Sequence, residues 1–128
     1  MENVEVYEVQ YLNDFDKSFE RLSKKKKFKI LPKQINELIN DLEQGKFEGD
    51  KITHTDEPTP YDVYKIRLPN LDTSVGKSNG YRVIYMVVTE SKIVVFLTIY
   101  YKKEQPTVSD VYIKGLIDGY FLNSLPEE

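Results

Sequence analysis

Two apolar runs, separated by four polar residues, constrain the fold of this chain more than any other feature. The runs are Val83–Val88 and Ile93–Ile99, both rich in β-branched residues, and Thr89-Glu90-Ser91, followed by Lys92, lies between them. Such continuous apolar sequence is typical of central strands that are buried on both faces over part of their length. The pattern therefore predicts two antiparallel strands, Tyr81–Val88 and Lys92–Tyr100, joined by a tight turn.

The neighbouring segments predict more of the same sheet. A strand is expected over Tyr61–Leu68, and a short first strand through the β-rich residues from Val4 to Tyr11. Residues 46–60, with a glycine and two prolines, are predicted to be a connecting loop. The polar connection from Pro69 to Gly80 is too long for a tight hairpin, so the last three strands form an antiparallel meander.

Helical spacing of apolar residues predicts three helices. Asn13 is the expected N-cap of the first, which should fray in Lys24–Lys27. Pro32 should begin the second, over residues 32–44, with Gly45 as its C-terminal cap and an apolar stripe of Ile35, Leu38, Ile39 and Leu42. Ser109-Asp110 should cap the last helix, with an interruption expected at Gly115 or Gly119.

These elements predict one α+β domain over residues 1–128. It consists of a curved antiparallel β-sheet with an N-terminal αα-hairpin packed on one face, a groove on the other face, and a C-terminal helix. The chain has no cysteine and no apolar run near the ~20 residues of a membrane span, which favours a cytoplasmic protein that does not enter a membrane. No His, Cys or carboxylate cluster has metal-ligand spacing, so no metal is expected.

Charge is distributed unevenly along the chain. The net charge is −3, yet residues 61–105 hold seven Lys or Arg against four Asp or Glu. Within that segment, Lys65 and Arg67 are two apart on one predicted strand and so share a face, and Arg82 lies on the adjacent strand. Like charges at this spacing repel, and a phosphate would compensate them. A face whose charges are screened by solvent is the alternative.

Four segments carry a family resemblance: Lys65-Ile66-Arg67-Leu68, Gly80-Tyr81-Arg82-Val83-Ile84-Tyr85, the apolar strand Ile93–Ile99, and Tyr100-Tyr101-Lys102-Lys103-Glu104-Gln105. In this order and spacing they resemble the RelE/ParE superfamily of bacterial toxins, and within it the RelE/HigB-like branch. The match runs from the first strand to about residue 118. The resemblance implies the RelE-like fold and a type II toxin with a cognate antitoxin protein, the ribosome and mRNA as its partners.

The resemblance also implies an activity and a set of site residues. The activity is ribosome-dependent mRNA cleavage by attack of a ribose 2′-hydroxyl, with no metal or other cofactor. Lys65 matches a lysine with base or transition-state roles, and Arg82 matches the arginine of the Gly-Tyr-Arg motif. The full set of implied catalytic residues is Lys65, Arg67, Arg82, Lys102 and Lys103, and the expected substrate-binding residues are Tyr100, Tyr101, Tyr112 and Lys77.

Two other functions stay open at this stage. The ParE-like branch shares the fold and inhibits DNA gyrase by a protein–protein contact, which does not require a phosphate pocket. The other alternative is a catalytically silent member that binds or regulates a partner. The run Lys24–Lys27 is expected to be a solvated helix end, with auxiliary phosphate contacts as its alternative.

Overall fold

The computed structural model describes residues 6–123, and the first part of the predicted first strand, including Val4, lies outside that range. The elements follow one another as β1 (Glu8–Tyr11), α1 (Asn13–Glu20), α2 (Leu31–Glu43), β2 (Asp50–Ile52), β3 (Asp62–Leu68), β4 (Tyr81–Val88), β5 (Ile93–Tyr101) and α3 (Asp110–Asn123). A π-helical turn, Arg21–Lys25, extends α1, and a 3₁₀ turn, Lys77–Asn79, precedes β4. The predicted α+β fold is confirmed.

The five strands form one sheet in the order β1-β5-β4-β3-β2. The predicted antiparallel meander of β3, β4 and β5 is confirmed. Two features differ from the expectation. β1 pairs with β5 in parallel, because the chain crosses over through α1 and α2 before it returns to the sheet. Residues 46–60 contain the short edge strand β2, whose sequence Asp-Lys-Ile lacks the apolar alternation by which strands are recognised.

The helical hairpin covers one face of the sheet. The predicted stripe of α2 is buried at Ile35, Leu38 and Leu42, while Ile39 is partly buried. These side chains pack with alternate residues of the central strands, namely Tyr81, Val83, Tyr85, Val87, Val94 and Phe96. Pro32 lies in the first turn of α2, and Gly45 has φ of +78°, the left-handed conformation of a helix C-cap.

Three details at the helix ends correct the sequence predictions. Leu12 rather than Asn13 holds the N-cap position of α1, and no side chain caps that end. The chain then continues as the π-helical turn instead of fraying. In α3, Ser109 Oγ accepts the backbone N–H of Tyr112 at 3.1 Å, as a capping serine does, and the helix continues through Gly115 and Gly119 without interruption.

α3 covers part of the other face. Its Ile113 and Ile117 are buried against Val63, Ile84, Met86, Val95 and Leu97. A β-bulge shifts the register of β5 against β4, since Ile84 lies opposite Thr98 but Tyr85 lies opposite Phe96. Beyond the bulge, Tyr100 therefore lies on the α3 side of the sheet and Tyr101 on the helical-hairpin side.

Leu38→Ala tests the packing of the helical hairpin. The side chain is 3% exposed, so its removal should lower the free energy of unfolding by roughly 2–5 kcal/mol, measured by chemical denaturation. Leu122→Ala is the matched control: that leucine is 70% exposed, and we expect a change within about 0.5 kcal/mol. Equal effects from the two substitutions would contradict the assignment of the hairpin to the core.

Candidate phosphate-binding site

The basic residues singled out in the sequence meet on the α3 side of the sheet. Arg67 of β3 lies directly opposite Arg82 of β4, and Arg82 lies opposite Tyr100 of β5. Lys65 lies two positions before Arg67, opposite Ile84 on one side and opposite Asp50 of β2 on the other. Directly opposed residues have their side chains on one face of a sheet, so the predicted shared face is confirmed.

Lys65 and Arg67 line an open depression of about 460 Å³ at the β2 edge of the sheet. Lys77, from the 3₁₀ turn, lines it as well, together with Glu48, Gly49, Asp50, Ile66 and Leu68. Lys65 is half-buried, whereas Arg67 and Lys77 are exposed. Within residues 6–123, no carboxylate forms an ion pair with any of these three cations. The depression can therefore accept an anionic group.

Two carboxylates at this depression were not predicted. Glu48 and Asp50 fall in the segment that was interpreted as a loop. Between them, Gly49 has φ of +98°, and a Cβ there would lie 2.6 Å from the carbonyl oxygen of Lys65. Only glycine permits this close approach of the two backbones. An isolated glycine between two acidic residues is the signal that the sequence offered for this strand.

Arg82 is buried, unlike the exposed Arg67 that lies opposite it. Only 3% of the surface of Arg82 is accessible to solvent. One guanidinium nitrogen, Nη1, donates to the carbonyl oxygens of Lys77 at 2.7 Å and Tyr81 at 3.1 Å, and Nη2 donates to the carbonyl oxygen of Ser78 at 3.2 Å. Burial lowers the pKa of Arg82, the positive charge of Arg67 lowers it further, and Tyr100 acts in the opposite direction. Arg82 thus holds the 3₁₀ turn that presents Lys77.

Two solved structures share this architecture with the chain. The isolated E. coli RelE toxin superposes with a TM-score of 0.51 and 20% identity, over 88% of this chain and 97% of that chain. A doubly substituted mutant of E. coli toxin RelE in the free state gives a TM-score of 0.53 and 18% identity, over 88% and 96% of the two chains. The chain has a RelE-like fold.

A third solved structure is less similar to this chain, and comparisons with protein families and curated proteins give no match. The archaeal RelE–RelB complex from Pyrococcus horikoshii OT3 gives a TM-score of 0.43 and 21% identity, over 76% of this chain and 96% of that chain. Protein-family models and curated proteins give no match to this chain. At these identities the likeness shows the fold alone.

The RelE-like fold places the tyrosines of the last strand away from the depression. Tyr101 is buried on the helical-hairpin face, where its ring lies 5.4 Å from those of Phe28 and Tyr81. Tyr100 is on the basic face but only 4% exposed, and burial raises the pKa of its hydroxyl. Both rings are buried in this structure, so neither is exposed for stacking on a nucleotide base.

Tyr112 lies elsewhere as well. Its hydroxyl donates to a carboxylate oxygen of Asp14, at the start of α1 beside the β1 edge. Burial and the contact with Asp14 raise the pKa of Tyr112 to about 12. Three strand spacings of about 4.8 Å separate β1 from β3, or roughly 14 Å. Tyr112 therefore does not join Lys65 and Arg67.

The basic pair after β5 is close to the same end of the sheet but does not line the depression. The backbone N–H of Lys102 donates to the carbonyl oxygen of Gly80 at 2.8 Å, and Lys103 is exposed. The next residue, Glu104, forms ion pairs with Lys26 at 2.7 Å and Arg21 at 3.3 Å, which lower the pKa of its carboxyl. The pair is thereby held beside the turn between α1 and α2.

Residues 6–123 contain neither a candidate metal site nor a candidate membrane span. No group of three or more His, Cys, Asp or Glu side chains in that range has a geometry that could hold a metal ion. No helix in the same range is long and apolar enough to cross a membrane.

Proposed function

We propose that this chain is the toxin of a type II toxin–antitoxin system and cleaves mRNA on the ribosome. The observation that carries the proposal is the depression between β2, β3 and the 3₁₀ turn. Three cations line it, Lys65 and Arg67 from one face of a RelE-like sheet and Lys77 from the 3₁₀ turn, and none of them is ion-paired within residues 6–123. Neighbouring like charges repel one another, and a phosphodiester supplies an anion that offsets them.

Cleavage proceeds by in-line attack of a ribose 2′-oxygen on the adjacent phosphorus. The new 2′-O–P bond closes a 2′,3′-cyclic phosphate as the bond from phosphorus to the 5′-oxygen breaks. Lys65 and Arg67 hold the non-bridging oxygens and offset the charge that develops on them. Asp50, opposite Lys65, takes the 2′-hydroxyl proton, and Lys77 gives a proton to the leaving 5′-oxygen.

This assignment changes the roles that the resemblance implied. The resemblance places acid catalysis in the pair Lys102–Lys103, but Lys77 is the further cation that lines the depression. Arg82 acts through the 3₁₀ turn, since three of its N–H groups already bind carbonyl oxygens. Arg82 is therefore a positioning residue in this mechanism.

Control of such a toxin requires a protein partner. The two similar structures are of a toxin, which supports the same role for this chain. We expect an antitoxin segment with carboxylates that pair with Lys65 and Arg67 and so cover the depression. The gene adjacent to the one for this chain is the first candidate for that partner.

Inducible expression followed by mapping of RNA 5′ ends tests the function. Expression should stop growth and produce new 5′-hydroxyl ends inside translated messages, and removing the start codon from a reporter message should abolish cuts in it. The double variant Lys65→Gln/Arg67→Gln is the inactive control, and co-expression of the adjacent gene should restore growth. Growth arrest with inhibited gyrase and no new ends would instead indicate the ParE-like alternative.

One observation favours a second candidate, binding without cleavage. Arg82 and the tyrosines that the resemblance placed on the substrate are engaged within the protein. A chain that binds ribosomes through Lys65 and Arg67 but leaves every message intact would fit this candidate. Ribosome co-sedimentation in the same cultures distinguishes it from a chain that binds no ribosome.

Asp50→Asn tests the proposed proton acceptor. The amide keeps the shape of the side chain but cannot take the proton, so single-turnover cleavage should fall by about 10²–10⁴-fold with the fold intact. Asp56→Asn, at an exposed loop position, removes the same charge as a control and should cleave at the wild-type rate. Faster cleavage by Asp50→Asn would mean that the carboxylate only weakens phosphate binding.

A further inference from the structure

The turn between α1 and α2 concentrates positive charge more than any other part of the sequence. Of the chain's 18 Lys and Arg residues, eight fall within residues 17–33, against one carboxylate, Glu20. They are Lys17, Arg21, the run Lys24–Lys27, Lys29 and Lys33, and all eight are exposed. We call residues 17–33 the basic turn. The chain as a whole is acidic, so its net charge does not show this local excess of positive charge.

Few carboxylates balance the basic turn. Glu20 pairs with Lys24 at 3.5 Å, and Glu104 pairs with Lys26 and Arg21. Asp72 also touches the turn, but both of its carboxylate oxygens accept the backbone N–H of Ile30, at 3.1 and 3.0 Å. Within residues 6–123, the remaining five cations form no ion pair. Their charges are free to meet a polyanion.

The backbone holds these cations in an ordered arrangement. Leu22 is fully buried and Phe28 is 9% exposed, so the turn is anchored to the core at two points. Between them, Lys26 N–H donates to the carbonyl oxygen of Arg21 at 3.0 Å, the spacing of a π-helix, and Lys27 adopts φ of +59°. Consecutive helical residues point about 100° apart, so the lysines fan outwards instead of forming one stripe.

The basic turn lies at the same end of the sheet as the depression. Phe28 packs against Tyr81, next to Arg82, with ring centroids 6.0 Å apart. Glu104 ties Arg21 and Lys26 to the segment that carries Lys102 and Lys103. The surface formed by the basic turn and the basic pair thus lies at the end of the sheet where β4 begins and β5 ends.

We propose that this surface binds the phosphate backbone of RNA at a distance from the scissile phosphate. A fan of exposed cations fits a chain of evenly spaced phosphates, whose binding releases counterions. Stable membrane or protein interfaces add exposed apolar side chains to such charges, and Ile30, 38% exposed, is the one large apolar side chain exposed within the turn. The proposal rests on the proposed function for its choice of RNA.

Salt-dependent binding to an RNA that cannot be cut tests the proposal. The probe is a fluorescein-labelled hairpin RNA with every 2′-hydroxyl methylated, which removes the attacking group. The test variant is Lys25→Gln/Lys29→Gln/Lys33→Gln, three cations that have no ion pair in the described range. Each lost phosphate contact lowers the slope of log K against log salt by about 0.7–0.9, so the variant's slope should be less steep by about 2.

A matched control carries the same loss of charge elsewhere. Lys46→Gln/Lys51→Gln/Lys114→Gln removes three lysines that lie outside the basic turn, and it should keep the wild-type slope. Equal slopes for the test and control variants would overturn the proposal. So would a wild type that leaves the RNA unbound but binds polyglutamate through Lys25, Lys29 and Lys33, since the occupant would then be an acidic protein.

These experiments distinguish a failure of the RNA-binding proposal from a failure of the cleavage proposal. RNA binding through the basic turn by a chain that cuts no message would leave the surface assignment standing and refute the proposed cleavage. Normal cleavage on ribosomes with an unchanged salt slope in the test variant would refute the surface assignment and leave the proposed cleavage standing. Circular dichroism of each variant confirms that the comparison is between folded proteins.

Discussion

Arg67→Ala should reduce single-turnover cleavage on programmed ribosomes by about 10²-fold or more, the usual effect of removing one donor to a transition state. The side chain is exposed on the β3 edge of the depression, opposite Arg82. Its removal also relieves the repulsion that lowers the pKa of Arg82, so the free energy of unfolding should not fall. Arg67→Lys should restore part of the rate, because a lysine supplies the charge without the planar pair of donors.

Lys51→Ala is the matched control for this prediction. Lys51 lies on the neighbouring strand β2, opposite Tyr64, so it projects to the other face of the sheet. It pairs with Asp62 at the surface, and such pairs contribute little to stability. We expect cleavage at the wild-type rate. Cleavage by Arg67→Ala at that same rate would place the reacting phosphate outside the depression.

Most of the fold follows from patterns that depend on neighbouring residues. The apolar runs in β4 and β5 are continuous because both faces of these strands are buried, and the stripe in α2 has helical spacing because one side meets the sheet. β2 was missed because an exposed edge strand of three residues needs no apolar alternation. The parallel pairing of β1 depends on a long-range crossover, which local sequence does not encode.

The candidate site was predictable only in part, for a related reason. Alternation along a strand gives the face of a side chain, so the shared face of Lys65 and Arg67 could be read from the sequence. Burial and hydrogen-bond partners depend on what covers that face. The bulge in β5 and the 3₁₀ turn decide that Tyr101 points into the core and that Arg82 binds backbone carbonyls. Neither feature has a local signature.

Arg82→Ala should lower the free energy of unfolding by roughly 2–4 kcal/mol, because it leaves a cavity and carbonyl oxygens without their donor. The guanidinium makes three hydrogen bonds to Lys77, Ser78 and Tyr81 and is almost fully buried. The loss should appear in chemical denaturation as an earlier midpoint with an unchanged slope. Cleavage by the folded protein should fall as well, because Lys77 is no longer held at the depression.

Two further substitutions separate the causes of that loss. Arg82→Met fills most of the volume without a donor, so its destabilisation reports the hydrogen bonds alone. Arg82→Lys keeps the charge and three donors, but they share one nitrogen on a shorter side chain, whereas the guanidinium bonds come from two nitrogens, so it should recover about half of the stability. If all three variants unfold at the wild-type denaturant concentration, the guanidinium does not hold the 3₁₀ turn. Arg82 would then be free to bind the scissile phosphate directly, as its place in the Gly-Tyr-Arg motif implies.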